Sequence, residues 1–132
     1  MTIKSSQTLV EEALRSIKTL KSKEVKTLYD NEEITLIDVR DIRELWKEGT
    51  IKNSIHIPRG MLEFWLDPQS SYFQEKKIGE IKNIVLFCAL GFRSALATKA
   101  LKEMGFKNVA NASGGFDALK NAGLEVVTKE KK

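Results

Sequence analysis

Cys88, the chain's one cysteine, ends an apolar run, Ile84-Val85-Leu86-Phe87, and opens the segment Ala89-Leu90-Gly91-Phe92-Arg93-Ser94. The pattern reads as a buried strand, a tight turn and the start of a helix. A thiol at that junction meets the backbone N–H groups of the turn and has the Arg93 cation beside it. Both favour the thiolate, which is the nucleophilic form. Gly91 admits the positive φ that a tightly curled turn needs. Arg93 stays charged at any physiological pH. Successive N–H groups at a helix N-terminus hold an anion. A cysteine ending an apolar strand is by itself usually a small buried hydrophobe. Gly91, Arg93 and the helix that follows are what point to chemistry.

Other side chains carry weaker signals. His56 is the chain's one histidine and lies between Ile55 and Ile57, a setting that predicts a structural role for a histidine without a paired base or ligand. Asp38, Arg40 and Glu44 are expected to form a local charge network, because buried charges occur paired. Arg59 is a candidate for drawing in an anionic donor and equally a solvated side chain. Trp46 and Trp65 are expected to pack rather than to hold a ligand.

The elements that must position these groups alternate. An amphipathic helix is expected from Thr8 to Lys21, with Leu9, Val10, Ala13, Leu14, Ile17 and Leu20 on one face and Thr8 and Glu11 as a capping box. A second helix, capped by Ser22, runs to Asp30 with Val25, Leu28 and Tyr29 inward. The run from Ile34 to Arg40 suits a strand covered on both faces. A short helix spans Ile42 to Lys47 and stops at Gly49. A strand from Ser54 to Ile57 ends at Pro58, and a short helix covers Gly60 to Leu66. Asp67 to Glu80 reads as loop with a single turn around Tyr72 to Glu75. A strand from Asn83 to Phe87 leads into the Cys88 loop. A helix from Phe92 to Met104, with Ala97, Ala100, Leu101 and Met104 inward, stops at Gly105. A strand from Asn108 to Asn111 passes through Gly114-Gly115 into a helix from Phe116 to Asn121. This alternation predicts an α/β domain with a parallel β-sheet flanked by helices. Ligands in such sheets sit beyond the carboxyl ends of the strands, which places Arg40, Arg59 and Cys88 at one edge.

The chain has 132 residues, 42% hydrophobic and 30% charged, and is expected to form one domain with a core that needs no metal or disulfide. One cysteine excludes an internal disulfide and a multi-cysteine zinc site. The net charge of +4 comes from 22 basic and 18 acidic residues of mixed order, without the basic stripe of a nucleic-acid protein. No secretory leader or membrane-spanning stretch is read from the sequence, so no membrane partner is expected. The expected compartment is the cytoplasm, where a reactive thiol stays reduced. Residues 1–21 are read as an N-terminal helical extension, 22–127 as the domain and 128–132 as a charged tail.

Four words in order carry a resemblance over roughly Ser22 to Val126. They are Leu36-Ile37-Asp38-Val39-Arg40; Glu44 with the stretch Gly49 to Pro58; the Cys88 loop; and Ser113-Gly114-Gly115-Phe116 with Gly123-Leu124. Together they resemble the rhodanese family of sulfurtransferases, in its single-domain form with an extra N-terminal helix. Thr50 stands where that family usually has His, Lys52-Asn53 where it has Pro-Gly, Leu119 where Trp is common and Glu125 where Pro is common. The resemblance implies that Cys88 carries sulfur as a persulfide. The segment Ala89, Leu90, Gly91, Phe92, Arg93 and Ser94 would hold the substrate sulfur. The donor would be thiosulfate or another persulfide, and the acceptor cyanide, a thiol or a protein; no cofactor or metal is required. Four residues separate Cys88 from Arg93, the loop length of the sulfurtransferases; the related cysteine phosphatases have one residue more. Two other readings stay open: a rhodanese-like binding or regulatory module, and a cysteine-dependent phosphatase or arsenate reductase.

Overall fold

A computed structural model describes residues 2–78, 81 and 83–131 of the chain. Its helices are α1 (Ser6–Ser16), α2 (Ser22–Asp30), α3 (Ile42–Glu48), α4 (Leu62–Leu66), α5 (Glu75–Ile78), α6 (Phe92–Met104) and α7 (Gly115–Asn121), with a 3-10 turn at Arg59–Met61. Its strands are β1 (Lys18–Leu20), β2 (Ile34–Asp38), β3 (Thr50–Ile51), β4 (Ile55–His56), β5 (Asn83–Phe87), β6 (Val109–Ala112) and β7 (Val126–Val127). Five strands form a parallel sheet in the order β1-β6-β5-β2-β4, and β3 pairs antiparallel with β7. The expected parallel sheet flanked by helices is what the chain forms.

Side-chain alternation along β5 divides the core. Ile84, Leu86 and Cys88 join one cluster with Leu62, Leu66, Ala97 and Leu101 of α4 and α6. Val85 and Phe87 join the other, with Val25 of α2 and Phe116 and Leu119 of α7. A strand covered on both faces has no polar side to show, which is why β2 and β5 read as nearly continuous apolar runs. Each large aliphatic side chain buried this way contributes about 1.5–3 kcal/mol. The Cys88 loop therefore hangs from a strand clamped on both sides.

Several elements differ from the expectation. The first helix stops at Ser16, and Lys18-Thr19-Leu20 pairs in parallel with Ala110-Asn111-Ala112 as an edge strand of the sheet. Leu20 still faces the core, so its burial prolongs the apolar pattern past the end of the helix. The cap of α1 is Ser5, whose Oγ accepts from the Thr8 amide at 3.0 Å, and Thr8 lies inside the helix. Ser22 is the first helical residue of α2, after an N-cap at Lys21. Met104 is exposed, whereas Ser94, Ala95 and Thr98 are buried on α6. The β3–β7 ribbon was not expected. The loop from Asp67 contains α5, and its expected end at Glu80 lies outside the described residues. Among the described residues no helix is long and apolar enough to cross a membrane.

Candidate active site

At the carboxyl end of β5 the chain curls around its own sulfur. The Gly91 amide donates to Cys88 Sγ at 3.1 Å and the Ser94 amide at 3.4 Å; the Ser94 hydroxyl lies 3.3 Å away. Gly91 has φ +104° and is the N-cap of α6, so its left-handed backbone turns the following amides toward the sulfur. Ser94 is held in turn, because the Thr98 hydroxyl donates to its carbonyl at 2.7 Å.

The loop is braced from beneath. The Phe116 amide donates to the Cys88 carbonyl at 2.8 Å. Gly115, with φ +62°, leaves no room for a side chain: a Cβ there would lie 2.4 Å from the carbonyl oxygens of both Cys88 and Ala89. Asn111 of β6 is buried and donates from Nδ2 to the Gly91 carbonyl at 3.4 Å. The Gly114-Gly115-Phe116 word thus lets the start of α7 approach the Cys88 loop.

Two opposing effects set the Cys88 thiol. Burial pushes it up. The Ser94 hydroxyl and the amides of Ser94, Gly91 and Leu90 pull it down, and together they hold it below the ordinary cysteine value. Thiolate should therefore form at lower pH than in an unstructured peptide. The rate of Cys88 alkylation should reach its plateau at lower pH than that of a free cysteine peptide, and Ser94→Ala should move the plateau back up. Coincident profiles for the protein, the variant and the peptide would show that the loop does not stabilise the thiolate.

Arg93 is paired with a carboxylate. Its Nη1 and Nη2 donate to the two carboxylate oxygens of Glu44 at 2.8 and 2.9 Å. This pairing keeps Glu44 below the usual carboxylate range and raises Arg93 further. Glu44 Oε2 also accepts from the Asp41 amide, closing the capping box of α3. Asp38 and Arg40 form a separate, fully buried pair at 2.9 Å, and Thr50 Oγ1 donates to Asp38 Oδ2 at 2.7 Å. The expected network of Asp38, Arg40 and Glu44 thus divides: Asp38 pairs with Arg40, whose Nη1 also lies 3.7 Å from Glu48, and Glu44 pairs with Arg93.

The remaining candidates have structural partners. His56 Nε2 lies 2.7 Å from the Arg40 carbonyl. Arg59 Nη1 donates to Glu63 at 2.8 Å. Trp65 packs on the core, and Lys131 lies 5.3 Å from the ring centroid of Trp46. Ala89 is half-buried, while Leu90 and Phe92 are each 59% exposed and flank the loop. Clefts of about 380 and 620 Å³ lie elsewhere, against Ile34, and no residue of the Cys88 loop lines either. Sequence reasoning missed Glu44 as the partner of Arg93, and Asn111, Gly115 and Phe116 as supports of the loop. The available signals were the Asp-x-x-Glu box at Asp41 and the paired glycines.

A parallel α/β sheet with a cysteine anion loop at a strand's carboxyl end defines a class, and comparison with known proteins gives the family. The rhodanese-like domain model matches residues 21–122, and the chain belongs to that family of sulfurtransferases. A solved protein of unknown function from Rhodopseudomonas palustris, described as a possible tyrosine phosphatase, is 40% identical, with a TM-score of 0.87, over 96% of this chain and 98% of that one. The polysulfide-sulfur transferase homodimer of Wolinella succinogenes is 37% identical, with a TM-score of 0.72, over 93% and 87%. A tRNA uridine(34) hydroxylase of Prochlorococcus marinus is 38% identical over 67% of this chain, which spans 29% of that protein.

Proposed function

We propose that this chain carries sulfane sulfur on Cys88, taking it from thiosulfate or a persulfide and passing it to cyanide, a thiol or a protein acceptor. The observation that carries the reading is the convergence of the Gly91 and Ser94 amides and the Ser94 hydroxyl on Cys88 Sγ. The Cys88 thiolate attacks the outer sulfur of the donor. A bond forms between Cys88 Sγ and that sulfur, the donor's S–S bond breaks, and its electron pair leaves with sulfite or a thiolate. The bound persulfide is a terminal anion, and the loop amides offer donors fixed in place before the charge arrives. An acceptor nucleophile then takes the outer sulfur and returns the thiolate, so catalysis is covalent and has two steps.

With one cysteine in the chain, the sulfur leaves to a separate molecule. A reducing compartment such as the cytoplasm suits this chemistry. The Wolinella transferase supports sulfur rather than phosphate as cargo, as does the four-residue spacing from Cys88 to Arg93. The likeness to the tRNA hydroxylase covers under a third of that protein and supports the family rather than that activity.

Mass spectrometry tests the reading. Incubation with thiosulfate or an organic persulfide should add one sulfur, about 32 Da, as a reversible cap, and cyanide should remove it. An aryl phosphate should give negligible phosphate release at matched enzyme concentration. Phosphate release through Cys88 with no sulfur adduct from any donor would overturn the proposal in favour of a phosphatase. Neither activity would leave a binding module.

A further inference from the structure

The edge that holds Cys88 has four arginines on the segments following β2, β4 and β5, and each meets a carboxylate. Arg40 pairs with Asp38 at 2.9 Å, Arg43 with Asp41 at 2.8 Å, Arg59 with Glu63 at 2.8 Å and Arg93 with Glu44 at 2.8 Å. The Arg93 pairing is the consequential one, since Arg93 closes the loop around the sulfur. A guanidinium recognises an anion with a fork of parallel N–H bonds. Here Nη1 and Nη2 each serve one oxygen of Glu44, and the pair sums to zero charge.

A dianionic donor approaching Cys88 meets a second anion, the thiolate, and a guanidinium already matched by Glu44. Beside the 41% exposed side chain of Arg93, the loop presents two apolar side chains to solvent, Leu90 and Phe92. We infer that Glu44 is a specificity-determining residue: by occupying the Arg93 fork beside an apolar rim, it turns the site toward organic persulfides and away from dianions such as thiosulfate. The inference rests on the sulfurtransferase reading and narrows its donor. In the favoured reaction the Cys88 thiolate attacks the terminal sulfur of R–S–SH. The new Cys88 S–S bond forms as the old one breaks, the proton stays on the transferred sulfur, and the thiolate R–S⁻ departs. The organic group R rests against Leu90 and Phe92.

Single-turnover loading of Cys88, followed by mass, tests this without an acceptor. The donors are thiosulfate and a freshly generated benzyl hydropersulfide. Each rate is divided by that donor's rate with a simple alkyl thiolate, which removes intrinsic reactivity. Wild type should favour the persulfide by at least about tenfold, the lower end of what a site's field does to the capture of a charged ligand. Glu44→Gln retains an oxygen for the Asp41 amide, so the capping box survives, but it leaves Arg93 a net cation. The variant should shift the ratio toward thiosulfate by about tenfold, and its thiosulfate rate should fall steeply with added salt. Wild-type loading by thiosulfate should not fall with salt, because the unmatched charge it meets is the like-signed thiolate, a measurement that needs no variant. Equal normalised rates in wild type, or a ratio and salt dependence unmoved by Glu44→Gln, would overturn the inference while leaving persulfide chemistry on Cys88 intact. If no donor loads Cys88, the sulfurtransferase reading itself fails, and this inference with it.

Discussion

Cys88→Ser should abolish sulfur loading and lower turnover by at least about 10³-fold, since a unit built around one nucleophile collapses when that nucleophile is lost. The same variant should fold. Cys88 is 1% exposed and belongs to the core cluster between the sheet and α4 and α6, but serine is close to it in size. The Gly91 and Ser94 amides that now meet Sγ can donate to a hydroxyl oxygen. Burying a hydroxyl that keeps its hydrogen bonds changes stability by about 1 kcal/mol or less. Circular dichroism and thermal unfolding read the fold, and mass and thiocyanate formation read the chemistry. A folded Cys88→Ser protein that still gained sulfur and made thiocyanate at the wild-type rate would remove Cys88 from the mechanism. Loss of activity together with loss of fold would indicate that the sulfur is foremost a core atom.

The parts of this site legible in the sequence are those whose signals are local. Gly91 and Gly105 bracket α6, and the helix runs from Phe92 to Met104 as the sequence predicts. Burial on both faces removes the alternation from β2 and β5, so it is their short length and their β-branched residues that announce them as strands. β1 was not legible: of its three residues only Leu20 extends the apolar stripe of α1, and only pairing with β6 makes them a strand. The two-residue strands β3 and β7 owe their assignment to each other, across 74 or more residues of chain, and neither carries a period of its own.

Electrostatic pairing was legible only by type. Asp38, Arg40 and Glu44 stand close in sequence and invite one network, yet Arg93, 49 positions beyond Glu44, takes that carboxylate. Glu44 lies on α3, which follows β2, and Arg93 at the start of α6, which follows β5; the parallel pairing of β2 with β5 sets the two segments side by side, and no local pattern encodes that. Thr50 shows the converse. The family resemblance expects histidine there and left local geometry open; the threonine hydroxyl reaches Asp38 at 2.7 Å and the Ser54 hydroxyl at 3.1 Å. The substitution therefore supplies a hydrogen-bond donor to the buried carboxylate.

Arg40→Met should be the most destabilising single change at this edge, by about 3–5 kcal/mol, the cost of leaving a buried charge without its partner. Arg40 is fully buried. Its Nε and Nη2 donate to Asp38, Nη2 also donates to the Gly49 carbonyl at 2.8 Å, and the guanidinium carbon lies 4.2 Å from the ring centroid of Phe116. It thus ties the end of β2 to the turn after α3 and to α7, which in turn supports the Cys88 loop through the Phe116 amide. Methionine fills much of the volume, so the loss isolates charge and hydrogen bonding from packing. Asp38 would keep only the Arg40 backbone amide and Thr50, and the Gly49 carbonyl would lose its donor. The double variant Asp38→Leu/Arg40→Met removes both charges and should recover at least about 1 kcal/mol relative to the sum of the single changes, since neighbours in one network are not additive. Recovery stays partial because Thr50 and the Gly49 carbonyl remain without those partners. Urea unfolding of the four proteins reads the cycle. A loss below about 1 kcal/mol for Arg40→Met, or strict additivity in the double variant, would mean that this pair contributes no more than a surface ion pair and that the Gly115 packing and the Phe116 and Asn111 hydrogen bonds hold the loop without it.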